Sequence, residues 1–210
     1  MMGKGILKIF KGKKALLKGH FLLSSGLHSD TYLQCALALQ YPDLAEKLAR
    51  KLVTRLHGDR VTRSKIDAVV SPALGGIVIG QEVARVLGCR AIFTERENGK
   101  MTLRRGFQIK KGEKILVVED VITTGGSTKE VIDAVRNAGG EIVGIACIID
   151  RTGLIGLPKR QGGGQVKFDY PLISLLKLEI ENYAPQNCPL CKKNIPLVKP
   201  GSRKHADYRR

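Results

Sequence analysis

Hydrophobic positions along this chain alternate between short continuous apolar runs and longer segments in which apolar residues recur at helical spacing. The run Ile115-Leu116-Val117-Val118 has no polar alternation, which predicts a strand buried on both faces, and such strands belong mostly to parallel sheets covered by helices. Comparable strands are expected over Ile66 to Ser71, Arg90 to Glu95 and Glu141 to Ile149. Between them, Pro42 to Leu56 carries Leu44, Ala45, Leu48, Leu52 and Leu56 on one helical face, with Asp43 in its first turn. Ile77 to Leu87 and Val131 to Ala138 read as further helices, the second stopped by Gly139-Gly140. Strand alternating with helix predicts an α/β fold with a doubly wound, mostly parallel sheet. Met1 to Lys18 reads as an amphipathic helix interrupted near Gly12 that packs on the body. Gly19 to Cys35 reads as two strands joined by a polar turn, forming a hairpin or hood. Val166 to Tyr183 is expected to return to the core or hood, with Gly162 to Gly164 a loose turn before it.

The central strand ends in Glu119-Asp120 and runs through Val121 and Ile122 into Thr123-Thr124-Gly125-Gly126-Ser127-Thr128. Glycines there permit close backbone approach, and Ser127 or Thr128 is expected to cap a helix starting near Lys129. Successive N–H groups, hydroxyls and a helix N-terminus make a phosphate cradle. It matches neither a Walker loop nor a dinucleotide fingerprint, so no Rossmann cofactor is implied. Acids directly before the cradle suit a sugar diol beside a phosphate, because ionised carboxylates accept hydrogen bonds from hydroxyls. A second strand-to-helix turn, Pro72-Ala73-Leu74-Gly75-Gly76, offers another set of N–H groups. Asp150-Arg151 closes a third strand, where the guanidinium is a natural partner for a planar carboxylate.

With 210 residues, 43% hydrophobic and 26% charged, the chain is expected to form one domain. No apolar run reaches membrane-spanning length, and the first residues lack the apolar core of a secretory signal, so the cytoplasm is the expected setting. A net charge of +17 concentrates at Lys4 to Lys18, Arg96 to Lys114 and Lys192 to Arg210. The outer clusters read as solvated arms, whereas the middle one precedes the phosphate loop and can share its anion. With only five Phe and five Tyr and no basic-aromatic module, specific nucleic-acid binding is not expected. Five cysteines, three of them single in apolar segments, fit a reducing compartment. Cys188-Pro189-Leu190-Cys191 has metal-ligand spacing, but only His205 lies nearby to complete about four ligands. Packing is the first expectation for that pair, and zinc, shared across a dimer, the alternative. His28, in a polar turn, is expected to be solvated rather than a ligand.

The stretch Glu119 to Ser127 resembles the phosphoribosyl pyrophosphate (PRPP) signature of the type I phosphoribosyltransferases. Phe21-Leu22-Leu23-Ser24-Ser25-Gly26-Leu27-His28-Ser29-Asp30-Thr31-Tyr32 is similar to the hood run of the orotate-specific members, and the ending around Cys188 to Arg203 is similar to one bacterial branch of them. The resemblance covers nearly the whole chain and implies a phosphoribosyltransferase unit over residues 1–210. Its hood would come from about 1–40 and 165–185, followed by a basic tail over 186–210. It implies transfer of 5-phosphoribosyl from PRPP to orotate, giving orotidine 5′-monophosphate and pyrophosphate in pyrimidine (UMP) biosynthesis. Mg2+ would be bound through substrate and water rather than by a protein metal site. By the same resemblance PRPP meets Arg96, Lys100, Glu119, Asp120, Val121, Ile122, Thr123, Thr124, Gly125, Gly126 and Ser127. Orotate meets Thr123, Arg151, Tyr32 and Leu33, and Lys100 and Asp120 are catalytic. The basic segment 96–106 would be a moving loop that closes over the neighbouring subunit of a homodimer. Ser24 and Gly75 stand where many members have lysine. Transfer to another base, or a PRPP-binding regulator without chemistry, are the alternative readings.

Overall fold

The structure is a computed structural model that describes residues 2–23, 26–58, 65–154, 164–165 and 167–200. Ser24, Gly162, Gly163, His205 and the last ten basic-tail positions lie outside the described residues.

Helix α1 (Met2–Gly12) leads into the antiparallel strands β1 (Leu16–Leu22) and β2 (His28–Leu33). The helical continuation expected for Ala15 to Lys18 does not form, because Lys14 takes a positive φ and the chain enters β1 at once. Ile6 and Phe10 nevertheless bury the predicted apolar face. Short α2 (Ala36–Leu39) and long α3 (Pro42–Gly58) follow, then β3 (Ala68–Pro72), α4 (Gly75–Leu87) and β4 (Arg90–Glu97). Strand β5 (Lys100–Leu103) turns back on β4, and β6 (Lys114–Ile122), α5 (Gly126–Asn137) and β7 (Glu141–Asp150) complete the body. The two-residue strands β8 (Gly153–Leu154) and β9 (Gly164–Gln165) pair with each other. They precede β10 (Leu172–Lys177), β11 (Asn182–Tyr183) and the single turn α6 (Pro189–Lys192).

The main sheet has the order β10-β7-β6-β3-β4-β5 and is parallel except for its edge strand β5. Successive residues of β6 feed opposite faces. Leu116 and Val118 join the core under α1, α3 and α4, whereas Ile115 and Val117 join the core under α5. All four are fully buried, as an uninterrupted apolar strand covered on both sides requires. The crossovers leave β3 in one direction toward β4 and β6 in the other toward β7, so the strand order reverses between β3 and β6. In open α/β sheets that switch point is where ligands bind, beyond the strands' C-terminal ends.

A separate three-stranded sheet, β1-β2-β11, stands over that end. Its register shifts between Lys18 and Phe21, a bulge that buries both His20 and Phe21 where simple alternation would bury only one. The C-terminal segment returns to it: Leu22 donates its N–H to Val198 O, and Val198 donates its own to His20 O, each at 2.8 Å.

Candidate active site

Two turns face each other across the switch point. After β6, the chain passes Thr123 and Thr124 and takes a left-handed conformation at Gly125, with φ 70°, before α5 begins at Gly126. Gly125 is therefore the N-cap, with no side-chain cap bond. The helix starts three residues before Lys129, and Ser127 and Thr128 lie inside its first turn rather than capping it. Glycine at that position tolerates the positive φ, and the helix N-terminus is left open toward a concave space bounded by Glu119 and by Val121 to Thr128.

Opposite, Gly75 opens α4 beside Asp120. A Cβ at Gly75 would lie 2.9 to 3.1 Å from the Asp120 carboxylate. A side chain at this place would displace that acid, so the glycine and the position of Asp120 belong together. Asp120 Oδ1 also accepts the Val121 N–H at 2.8 Å, which fixes the carboxylate at the strand's end. Glu119, 8% exposed, is the more buried acid. Burial, and then the adjacent Asp120, push its carboxyl well above the usual carboxylate range. In the free protein Glu119 is thus not the ready anion that its sequence position suggests.

A second cavity adjoins the phosphate loop under the small sheet. Tyr32 and Leu33 come from β2, Val121, Thr123 and Thr124 from the loop, and Arg151 and Asn182 from beyond β7 and from β11. Arg151 is 3% exposed, and it donates from Nη2 to Asn182 Oδ1 at 3.3 Å. Its Nε has no hydrogen-bond partner and no contact with water-accessible space. Burial lowers its pKa, while Asp30 and Tyr32 nearby favour the charged form. A buried guanidinium with one unanswered donor is the feature of this cavity that calls for an anionic ligand. Asn182 was missed by the sequence reading, since a lone Asn in a polar stretch carries no signal of which distant residue it will meet.

The segment 96–106, expected as a moving basic loop, is mostly a hairpin. Glu97 pairs with Lys100 and Arg96 with Met101 across an Asn98-Gly99 turn with positive φ at both residues. That dipeptide is a strong two-residue hairpin signal set within a highly charged segment. Three of its four cations are engaged at home: Arg96 with Glu130 on α5 at 3.0 Å, Arg104 with Glu97 at 3.2 Å, and Arg105 with Glu95 at 2.6 Å. Among the described residues Lys100 alone of the four makes no side-chain hydrogen bond or ion pair.

His28 is not solvated; it is 5% exposed and packs against His20 beside the two C-terminal cysteines.

A phosphate cradle preceded by paired acids at a switch point, under a small β hood, is the architecture of the type I phosphoribosyltransferases. Residues 39–161 match the family described as "Phosphoribosyl transferase domain". The orotate phosphoribosyltransferase of Caldanaerobacter subterraneus subsp. tengcongensis is 53% identical over 95% of this chain and 97% of its own length. That of Caldicellulosiruptor saccharolyticus is 53% identical over 97% of this chain and 99% of its own. The solved orotate phosphoribosyltransferase of Aeropyrum pernix superposes with a TM-score of 0.59 at 26% identity, over 82% of this chain and 93% of that one. The chain belongs to the orotate phosphoribosyltransferase family.

Proposed function

We infer that this chain transfers the 5-phosphoribosyl group of PRPP to orotate, the step that yields orotidine 5′-monophosphate for pyrimidine biosynthesis, with the following residues in the following roles. The N–H groups and hydroxyls of Thr123 to Ser127 hold the 5′-phosphate at the open end of α5, with Val121 and Ile122 shaping the approach. Glu119 and Asp120 hold the ribose hydroxyls. Burial holds the Glu119 carboxyl above the usual range in the free protein, and its oxygens are acceptors for the diol beside those of Asp120.

Arg151 carries the pyrimidine half of this reading. Its guanidinium, which lines the cavity beside Asn182, meets the orotate carboxylate, while Tyr32, Leu33 and Thr123 bound the ring. A neutral purine would bring no counter-charge to this buried guanidinium, which disfavours that substrate. Holding both substrates this way fixes the ribose C1′ for attack by the base nitrogen, and positioning of this kind supplies most of the acceleration.

Phosphoribosyltransferases generally use Mg2+. The donors here fit a hydrated ion: Glu119 and Asp120 flank the cavity, and among the described residues no group of three or more His, Cys, Asp or Glu ligands gathers there. With these two carboxylates given to the ribose hydroxyls, the ion's oxygen ligands would come from the diphosphate and water. When bound, the ion would neutralise charge growing on the departing pyrophosphate.

Lys100 is the hairpin cation free to meet that pyrophosphate, with Arg96 orienting the turn through Glu130 and the Gly99 carbonyl. The hairpin sits at the sheet's β5 edge, two strands away from β3, so we assign Lys100 to the active site of the neighbouring copy in a homodimer. No helix of the described residues is long and apolar enough to cross a membrane, and the proposed setting is the cytoplasm.

The test is orotate consumption, followed by its ultraviolet absorbance, with PRPP and Mg2+ and with adenine or hypoxanthine as competitor. Orotate alone should be consumed. Binding of PRPP with orotate left untouched would keep the phosphate cradle and sink the pyrimidine assignment.

A further inference from the structure

Four soft or borderline ligands that the transfer reaction does not use converge at the rim of the hood. We propose that His20, His28, Cys188 and Cys191 form a structural Zn2+ site that clasps the C-terminal segment onto the β1–β2 hairpin. Their ligand atoms all lie within 4.8 Å of one another. His20 Nε2 stands 2.9 Å from His28 Nδ1, 3.5 Å from Cys188 Sγ and 3.7 Å from Cys191 Sγ, and Cys191 Sγ is 3.3 Å from His28 Nδ1. With Zn–N near 2.0 Å and Zn–S near 2.3 Å, a tetrahedron has edges of roughly 3.3 Å between nitrogens and 3.6 Å between nitrogen and sulfur. These four separations are those edges to within a few tenths of an ångström, and the remaining two are no longer than 4.8 Å, so a movement of about an ångström encloses an ion.

Proton accounting separates this site from a metal-free hydrogen-bonded cluster. The Ile195 carbonyl, 2.8 Å from His20 Nδ1, can only accept, so Nδ1 carries the proton and Nε2 presents its single lone pair. Three neighbours converge on that one lone pair, and a hydrogen bond can satisfy only one of them well. A cation accepts electron pairs from all four. The Nδ1–H bond to a backbone carbonyl is also the outer support that metal-bound histidines normally have. Two thiolates balance the charge of Zn2+, and a closed Cys2His2 set with no fifth group is a structural rather than a catalytic site. On binding, the two thiol protons leave to water and each sulfur gives an electron pair to the metal, so nothing is oxidised.

The local fold is arranged for this. The β1 bulge turns His20 inward beside Phe21, and His28 opens β2 directly across from Leu22. Proline at the start of α6 fixes the turn between the cysteines. His20 and His28 lie about 160 residues before the cysteines in sequence, so the metal would close a long loop. It would also hold Leu22 and the 198–200 segment at the mouth of the Arg151 cavity.

Tag-free protein, purified under reductant from zinc-supplemented cells, should contain about one zinc per chain by elemental mass spectrometry. After chelation, Co2+ should restore a thiolate-to-metal charge-transfer band and the intense visible bands of a tetrahedral ion. Cys191→Ser and His28→Gln should each cut zinc content severalfold. Because wild type alone answers the metal question, a variant that folds poorly does not blur it. Less than about 0.1 zinc per chain with no cobalt bands, zinc content unchanged in both variants, or a Cys188–Cys191 disulfide in anaerobically purified protein would each overturn the proposal. Chelation should also raise the KM for orotate severalfold while PRPP binding persists. That last expectation rests on the function proposed above, whereas the metal content does not, so the two readings fail separately.

Discussion

The six-stranded sheet and the three-stranded hood meet at the Arg151 cavity but are stabilised by different means. In the sheet, β6 is buried on both sides by aliphatic side chains, and its charged residues appear only where the strand emerges at Glu119 and Asp120. In the hood, the buried positions include His20, His28, Ser29, Thr31 and Asn182, alongside only a few large apolar groups such as Phe21 and Leu33. A small sheet with so polar an interior gains little from apolar burial and needs another constraint, as small apolar-poor units generally do. The sheet positions ligands because it is rigid by packing. The hood does so because polar and metal-binding groups tie it together, and changes in the two regions should therefore fail in different ways.

The largest effect is expected where the two regions join. Arg151→Ala should lower kcat/KM for orotate by about 10²- to 10³-fold, mostly through KM, because it removes a desolvated charged donor and strands Asn182. PRPP affinity should stay within a few fold, as measured by titration of the variant. An equal loss for PRPP would mean that Arg151 supports the whole cavity rather than the carboxylate.

Lys100→Ala should follow, with kcat reduced about 10²-fold and KM values little changed, as for loss of one group that meets charge only in the transition state. Mixing it with Arg151→Ala tests the shared site directly. If each dimer site takes Lys100 from one copy and Arg151 from the other, mixed dimers regain one intact site, or about a quarter of wild-type activity at equal amounts. No recovery after verified subunit exchange would place Lys100 in its own copy's site.

What could be read from the sequence divides along the same line as the two regions. Glu119 to Ser127 is one contiguous segment whose residue types state their chemistry in order, and the alternation of apolar runs with helical spacing showed the parallel sheet around it. The bulge at β1, by contrast, depends on a one-residue shift that leaves no compositional trace. The His20–His28–Cys188–Cys191 cluster joins residues 168 to 171 positions apart in its His20–cysteine contacts, so His205, the histidine nearest the cysteines in sequence, drew attention first. Glu119 looked ionised because sequence shows a charge but not its burial. The Asn98-Gly99 turn is legible in the sequence, although the basic residues around it look equally like a solvated loop.

Glu119→Gln separates charge from packing at the sheet's edge. As pH rises past 4.5, the unfolded chain ionises at this residue while the folded chain, with its raised pKa, retains the proton. Glu119 therefore lowers stability progressively through the interval between those two pKa values, and its cost is fully present above the upper one. Glutamine removes that cost. Its Tm should exceed that of wild type at neutral pH, and the difference should vanish below about pH 4. PRPP binding should weaken about tenfold, because the amide supplies one acceptor where the ionised acid supplies two. A lower Tm at neutral pH would show that the acid is ionised and satisfied in the folded state.

The smallest effect lies beneath the switch point, in the packing of α4 on β3. Ser71 is 2% exposed and its hydroxyl has no partner, while a Cβ at Gly80 would fall 2.0 Å from Ser71 Oγ and 3.0 Å from its Cβ. The helix therefore approaches the strand as closely as glycine permits, and the hydroxyl fills the space without gaining a bond. Ser71→Ala should leave stability unchanged or raise it by less than about 1 kcal/mol, since it removes a polar group already unsatisfied. Gly80→Ala alone should destabilise by about 1 to 3 kcal/mol through overpacking. In the double variant part of that loss should return, because the closest of the two clashing atoms is gone, giving a coupling of about 1 kcal/mol in a denaturation cycle. Zinc content should be the same in all three variants, since this contact belongs to the sheet and not to the hood. Strict additivity would show instead that the Ser71 Cβ and the backbone set the helix's distance, with the hydroxyl a bystander.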